Sequence, residues 1–460
     1  MTSLPPQPLS PLDGRYRAVV TALGDHLSEA GLNRARVQVE VEWLIYLTGH
    51  SMFGSSPLTT EQIGSLRALV LTFGQNEIDE LAAYEATTRH DVKAVEYLVR
   101  DRLATLNLDA ISELTHFACT SEDINNLAYA ITVSAAVHQV WLPRLRSVIA
   151  TLTELAIRYR DDAMLAHTHG QPATPTTMGK ELAVFVHRLE RIAGQVSNSE
   201  FLGKFSGATG TFAAHVEADA SADWPRISRE FVESLGLTWN PLTTQIESHD
   251  WQAELYNRIS HANRVLHNLA TDAWTYISMG YFRQIPQPGA TGSSTMPHKI
   301  NPIRFENAEA NLELSSALLD SLAATLVTSR MQRDLTDSTT QRNIGVALGH
   351  SLLALDNLQR GLGEIDLDPV RLAADLDTNW EILGEAIQTV IRAEVVAGRS
   401  SIHDPYALLK ELTRGKRIGR NDIVTFVTAL DIGDAAKQRL LELTPATYVG
   451  LASSLVDYLK

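Results

Sequence analysis

A single cysteine, Cys119, is the whole thiol complement of this 460-residue chain. That excludes an internal disulfide and any thiolate cluster for zinc or iron–sulfur, and fits a protein kept in a reducing compartment. Apolar runs approaching the ~18 residues of a membrane span are missing. Positive charge is in deficit: 39 Lys and Arg stand against 54 Asp and Glu, a formal net charge of −15 with no basic tail or stripe. This argues against nucleic acid and acidic membranes as partners. The opening MTSLPPQPLSPLDGRY has no basic end followed by an apolar run, so no secretory signal is expected and a cytoplasmic location is. Strand signals are weak, with short stretches such as AMLAHTHGQPA as candidates for small extended pieces. GKFSGATG (203–210) lacks the spacing of a dinucleotide fingerprint and has no βαβ pattern around it, and there is no P-loop; neither a Rossmann site nor ATP-driven chemistry is expected.

Helical periodicity is what the chain has in abundance. In AELYNRISHANRVLHNLATDAWTYISMGYF, Leu255, Ile259, Ala262, Leu266, Leu269, Ala273, Tyr276 and Ile277 mostly step by three or four, one continuous apolar stripe. From Glu306 to Ile344 no glycine or proline interrupts the chain, and a rod is expected there, bending where helix propensity falls at RDLTDSTTQRN. Long rods belong in an elongated bundle. The expected class is mainly α. Punctuation near 107–110 and at GLGEIDLDPV (361–370) suggests an N-terminal helical domain (1–109), a central long-helix bundle (110–362) and a C-terminal helical domain (363–460).

Five segments break the helical logic with polar, charged and turn residues, and such departures concentrate at functional sites. They are SPLDGRY (10–16), TTRHDVKAVE (87–96), HFACTSEDINN (116–126), AHTHGQPATPTTMGKE (166–181), and GSSTMPHKINP (292–302) together with SRMQRDLTDSTTQRN (329–343). Pro172 and Pro175 place His169 in a structured turn, where it is open to two readings: a hydrogen-bonded surface residue, or a general acid or base titrating near neutrality. His167 invites a metal, but no carboxylate or further ligand accompanies it, so no metal is expected. In GSSTMPHKINP, Ser293, Ser294, Lys299 and Asn301 supply hydroxyls, a cation and an amide, followed by Glu306 in the first turn of a helix. The loop is either a mobile surface segment or a lid that stabilises negative charge. Arg15, Arg89, Arg333 and Arg342 sit where no plain solvated helix face is expected, and together suggest a polyanionic small molecule.

GSSTMPHKINP resembles the signature loop of the fumarase/aspartase superfamily, with every fixed position present, and TSEDINN and THGQPATP follow that superfamily's order. Within it, SPLDGRY, RHDVKAVEY, HFACTSEDINN, THGQPATPTTMGKE, NPLTTQIE and RDLTDSTTQRN are similar to the bacterial-type adenylosuccinate lyases, from near the N-terminus to ELTRGKR. The resemblance implies a three-domain, mainly α fold with a long central bundle. It implies cofactor-free β-elimination of fumarate from adenylosuccinate, giving AMP, and from SAICAR, giving AICAR. By the same resemblance Ser293 is the base, His169 the acid with Glu306 as its carboxylate partner, and Lys299 and Asn301 stabilise the carbanion's doubly charged carboxylate. Arg15, Tyr16, Arg333, Ser338 and Arg342 would hold the phosphate and neighbouring groups; Arg89, His90, Asp91, Thr120, Ser121, Thr168, Gln245 and Ser294 would complete the pocket. A homotetramer with sites shared between subunits is implied. Argininosuccinate lyase and fumarase share the loop, but DGRY and RDLTDSTTQRN count against both; a structural role of the lens-crystallin kind is opposed by the intact Ser293, His169, Lys299 and Glu306.

Overall fold

The apolar stripe seen at 255–277 becomes the buried face of a 30-residue helix, Asp250–Met279, about 45 Å long. Leu255, Ile259, Ala262, Leu266, Leu269 and Ala273 are buried, and Tyr276 and Ile277 half-buried. The computed structural model describes residues 7–287, 296, 299–413 and 418–459, and it is mainly α. Among the described residues, strands occur only as three two-stranded pairings, and no helix is long and apolar enough to cross a membrane.

The expected rod at 306–344 is shorter than the absence of breakers suggests. A helix runs Ile303–Leu326, and the chain then leaves helical geometry before Thr336–Gln341 and Ile344–Gly363. Asp334 provides the reason. Its carboxylate accepts the backbone N–H of Arg330 at 3.0 Å and of Thr336 at 2.8 Å, while its own N–H donates to Ser329 Oγ at 3.2 Å. Local side-chain acceptors of this kind outcompete the helical ladder.

A proline sits inside the other long rod. Ser121–Ala136 continues through a π turn, Val137–Trp141, into Leu142–Arg158. Pro143 lacks an N–H and its ring would crowd the carbonyl one turn back, so the widened turn ahead of it lets the helix pass without breaking.

The chain forms two compact units. The first comprises Met1–Arg146, Ile192–His267 and Ala308–Asp356. Its N-terminal core packs Val37, Val41 and Leu44 of helix Glu29–Gly49 with Leu66, Leu81, Val95, Leu98 and Leu103; each such burial contributes roughly 1.5–3 kcal/mol. Trp43 is fully buried against Phe205 and Phe231, with ring centroids at 4.5 and 4.9 Å. Polar groups in the long helices are satisfied in series: Trp141 donates to Ser351, Ser351 to Asn263, Asn263 to Ser315, and Ser315 to the Ala347 carbonyl.

The second unit comprises Ser147–Arg191, Asn268–Asn307 and Asn357–Lys460. Its C-terminal helices close over a core that includes Leu383, Ile387, Ile391, Ile423, Val427 and Leu440. Phe282–Gln284 pairs antiparallel with Ile365–Leu367.

Candidate active site

Strands Ala163–Thr168 and Gln171–Thr177 form an antiparallel hairpin in which Thr168 pairs with Gln171. His169 and Gly170 are therefore the whole loop, at φ 54° and 71°, the doubly left-handed backbone that a two-residue type I′ turn requires. Glycine takes it freely. Histidine takes it better than most residues, yet an observed left-handed non-glycine is a pointer to function.

The hairpin's base is fixed. Met164 and Leu165 are buried, and Leu165 packs with Leu376 and Ile382. The Met178 N–H donates to the Asp162 carbonyl at 3.0 Å and the Gly179 N–H to that of Tyr159 at 2.9 Å. A Cβ on Gly179 would lie 2.4 Å from the Ala156 carbonyl oxygen, so only glycine fits. From this base the tip presents Thr168 and His169 to solvent, and His169 has no hydrogen-bond or ion-pair partner among the described residues.

In the same unit, Lys299 and Asn301 lie along the approach to helix Ile303–Leu326, and Glu306 in its first turn. The Lys299 N–H donates to the Met296 carbonyl at 3.0 Å and the Ile303 N–H to that of Asn301 at 2.9 Å, while the Gln284 amide holds the Ile300 carbonyl. Lys299 and Glu306 are exposed. The Glu306 carboxylate accepts the Trp274 indole N–H at 3.1 Å, and the pairing with His169 implied by the resemblance is not made among the described residues of one chain. Ser293 and Ser294 lie outside the described residues.

The first unit gathers most of the other candidates. Arg15 and Tyr16 close a turn before helix Arg17–Leu27, the guanidinium carbon 5.8 Å from the ring centroid. Arg89 ends helix Gln75–Thr88 at φ 51°, and His90 caps helix Asp91–Thr105 by accepting the Lys93 N–H through Nδ1 at 3.3 Å. Thr120 and Ser121 start helix Ser121–Ala136, with the Thr120 N–H donating to Asp123 at 2.8 Å. Arg333 donates to Glu122 at 2.8 Å and to Gln245 at 3.4 Å. Arg342 donates to Asp91 at 3.2 Å and pairs with Glu29. The Ser338 N–H donates to Asp337 at 2.6 Å. Arg15 and Arg89 are exposed and, among the described residues, have no carboxylate partner. In a chain of net charge −15, these guanidinium groups are local attractors for an anion.

Burial pushes the Glu122 carboxyl up, against the pull of Arg333 and the Asn125 amide. Burial also acts to raise Asp91, but the Arg36 charge, the Val92 N–H and Arg342 outweigh it and hold that carboxyl below its ordinary range. His116 lies just ahead of the Thr120 cap, with its N–H on Glu40 Oε2 at 3.0 Å and its Nδ1 2.6 Å from Oε1. Burial opposes its charge, yet the hydrogen bond and charge of Glu40 prevail, so its pKa is raised. A raised folded-state value contributes stability that is full below the unfolded value of about 6.5 and lost as pH rises through the folded one. An NMR titration of His116 is expected to give a midpoint above 6.5, returning toward it in Glu40→Gln; a midpoint at or below 6.5 in the parent would refute the pairing.

GKFSGATG serves the fold's interior. The Lys204 ammonium is fully buried, 2.8 Å from Asp123 Oδ1 and 2.9 Å from the Gly207 carbonyl. Sequence reasoning does not single out Arg36, Asn125 or Glu122. Arg36 gives no signal, because an arginine inside a helical repeat reads as a solvated face. Glu122 and Asn125 fall within TSEDINN but without an assigned role. Among the described residues, no group of three or more His, Cys, Asp or Glu side chains is placed to hold a metal ion.

Comparison with known proteins adds two family matches: a model described as "Lyase" covers residues 14–314 and one described as "Adenylosuccinate lyase C-terminal" covers residues 329–449. The adenylosuccinate lyase of Escherichia coli strain K12 is 47% identical over 454 residues, 98% of each chain. That of Haemophilus influenzae is 45% identical over the same share. Among solved structures, the fold matches 3-carboxy-cis,cis-muconate lactonizing enzyme from Pseudomonas putida (TM-score 0.74, 19% identity, 96% of this chain and 97% of that one). It also matches a fumarate lyase from Mesorhizobium sp. BNC1 (TM-score 0.75, 19% identity, 95% and 97%).

Proposed function

The chain belongs to the adenylosuccinate lyases, and from that premise we propose that it splits adenylosuccinate into AMP and fumarate, and SAICAR into AICAR and fumarate, with His169 as acid and Ser293 as base. Ser293 takes the proton from the succinyl Cβ; the electrons left behind form the C=C bond of fumarate as the C–N bond breaks. His169 protonates the departing nitrogen. A proton next to a carboxylate is weakly acidic, so the intermediate needs stabilisation where its second negative charge develops. Lys299 and Asn301 supply it, and Glu306 orients the acid. Arg15, Tyr16, Arg333, Ser338 and Arg342 hold the phosphate end, while Arg89, His90, Asp91, Thr120, Ser121, Thr168, Gln245 and Ser294 line the remainder.

The observation that carries this reading is the His169 imidazole, held on a rigid hairpin in a left-handed backbone and left without a partner among the described residues of its own chain. An acid placed to serve a neighbouring subunit's substrate has that character. The same holds for Glu306, which meets Trp274 instead of His169, and for Leu314, 52% exposed on the long helix Ile303–Leu326. A homotetramer with sites built from several subunits accounts for all three; a cytoplasmic location rests separately on the single cysteine.

Purified protein mixed with adenylosuccinate should lose the ultraviolet absorbance of the substituted adenine and release fumarate. No cleavage by an assembled oligomer would overturn the reading. For shared sites, inactive His169→Ala and Ser293→Ala oligomers that are dissociated and reassembled together should recover turnover; mixtures as inactive as either parent would mean that His169 and Ser293 do not reach one site from different chains.

A further inference from the structure

Arg333 and Arg342 enter the reading above as separate holders of one nucleotide, yet a single buried side chain stands between them. Arg36, on helix Glu29–Gly49, is 2% exposed. Its guanidinium donates in three directions: Nε to Asn125 Oδ1 at 2.8 Å, one terminal nitrogen to Asn33 Oδ1 at 2.7 Å, the other to Asp91 Oδ2 at 2.9 Å. Asp91 Oδ2 also accepts from Arg342 at 3.2 Å. On the other side, the Asn125 amide donates to Glu122 Oε1 at 2.7 Å, and that oxygen accepts from Arg333 at 2.8 Å. The path from Arg342 to Arg333 thus runs Asp91, Arg36, Asn125, Glu122, with each link a hydrogen bond.

We propose that Arg36 is a positioning residue that binds Arg333 and Arg342 into one anion-holding unit, so that the placement of each depends on the other. The proposal rests on the reading of those two arginines as substrate-holding. Three features support it. Arg36 joins three helices, since Asp91 begins Asp91–Thr105 and Asn125 lies in Ser121–Ala136. The charges balance over the network as a whole: Arg36, Arg333 and Arg342 stand against Asp91, Glu122 and Glu29, the last paired with Arg342. A planar fork is also what the geometry requires, because only guanidinium offers fixed donors to acceptors in three directions, whereas an ammonium is a point charge. In a low-dielectric interior a shift in one member of such a chain is felt by the next.

The test uses the full-length oligomer and adenylosuccinate. Arg36→Lys keeps the charge and loses the fork; Asn125→Leu cuts the path while leaving the Arg36–Asp91 pair in place. Both are expected to raise KM about tenfold, with kcat changed by less than threefold, and to weaken binding of the product AMP in parallel. A residue that only stabilised the fold would lower the active fraction, hence kcat, and leave KM unchanged. Arg333→Lys and Arg342→Lys should each raise KM, and their combined effect should depart from the product of the two by about threefold or more, since groups in one network are not additive. That departure should vanish in the Asn125→Leu background. If folded Arg36→Lys and Asn125→Leu both keep the parent's KM, or if the two arginines remain coupled in Asn125→Leu, the positioning role is overturned. If Arg333→Lys and Arg342→Lys leave KM unchanged in the parent, the reading beneath it fails, and the proposal with it.

Discussion

Replacing His169 with alanine is expected to lower turnover of adenylosuccinate by at least ~10²-fold, the usual scale for losing a general acid, while leaving a folded protein. The structure makes this a clean experiment. The imidazole is exposed and unpartnered among the described residues, so removing it opens no cavity and strands no buried group. The left-handed backbone at φ 54° disfavours any Cβ by roughly 1–2 kcal/mol, a cost histidine already bears and alanine, which takes this conformation less readily, keeps. His169→Gly removes that complication: it suits the turn better than histidine does and should make the hairpin no less stable, yet be as inactive as the alanine variant. The space it leaves at the tip should also let added imidazole restore part of the rate. Near-normal turnover in His169→Gly would remove His169 from the mechanism. Loss in the alanine variant alone would mean that backbone geometry, not proton transfer, sets its importance.

That hairpin is only partly legible in the residues themselves. AMLAHTHGQPA reads as a small extended piece and the prolines place His169 in a turn, but no hairpin turn chemistry stands out in the sequence, and the left-handed His–Gly loop emerges only in the structure. The amphipathic helices are legible, because a 3.6-residue stripe needs only sequence. What stays hidden depends on contacts between residues far apart in the chain. Arg36 and Asn125 are 89 positions apart, and nothing in NRARVQVE marks its second arginine as a buried hub rather than a solvated charge. The shortened helix at Leu326 is a different case: no breaker is present, and the termination comes from Asp334, whose carboxyl the Thr336 hydroxyl and nearby backbone N–H groups hold down to about 2. Propensity describes that stretch as weakly helical; local hydrogen bonding decides it.

The largest stability effect is expected at Asp123. Its carboxylate is fully buried and accepts from four donors: the Thr120 N–H at 2.8 Å, the Ser206 N–H at 2.8 Å, the Gly207 N–H at 3.1 Å, and the Lys204 ammonium at 2.8 Å. One side chain thus fastens the start of helix Ser121–Ala136 to the GKFSGATG loop, whose Ala208 carbonyl in turn receives the Gln245 amide at 3.0 Å. Asp123→Ala is expected to cost ~3–5 kcal/mol, the range for breaking a buried ion pair by removing one partner. The ammonium it leaves behind keeps only the Gly207 carbonyl among its hydrogen-bond partners in the described residues. Lys204→Met should cost less, because Asp123 retains three backbone N–H groups. The double variant should be more stable than the sum of the single losses predicts, since no charge is then left unpaired. Urea unfolding at one fixed protein concentration measures all three. A loss below ~1 kcal/mol in Asp123→Ala, within the range of a surface pair, would show that the loop is held by its backbone and packing rather than by this pair. A loss in the expected range, accompanied by faster amide exchange at 204–210, would identify Asp123 as the residue that fastens the GKFSGATG loop to the start of helix Ser121–Ala136.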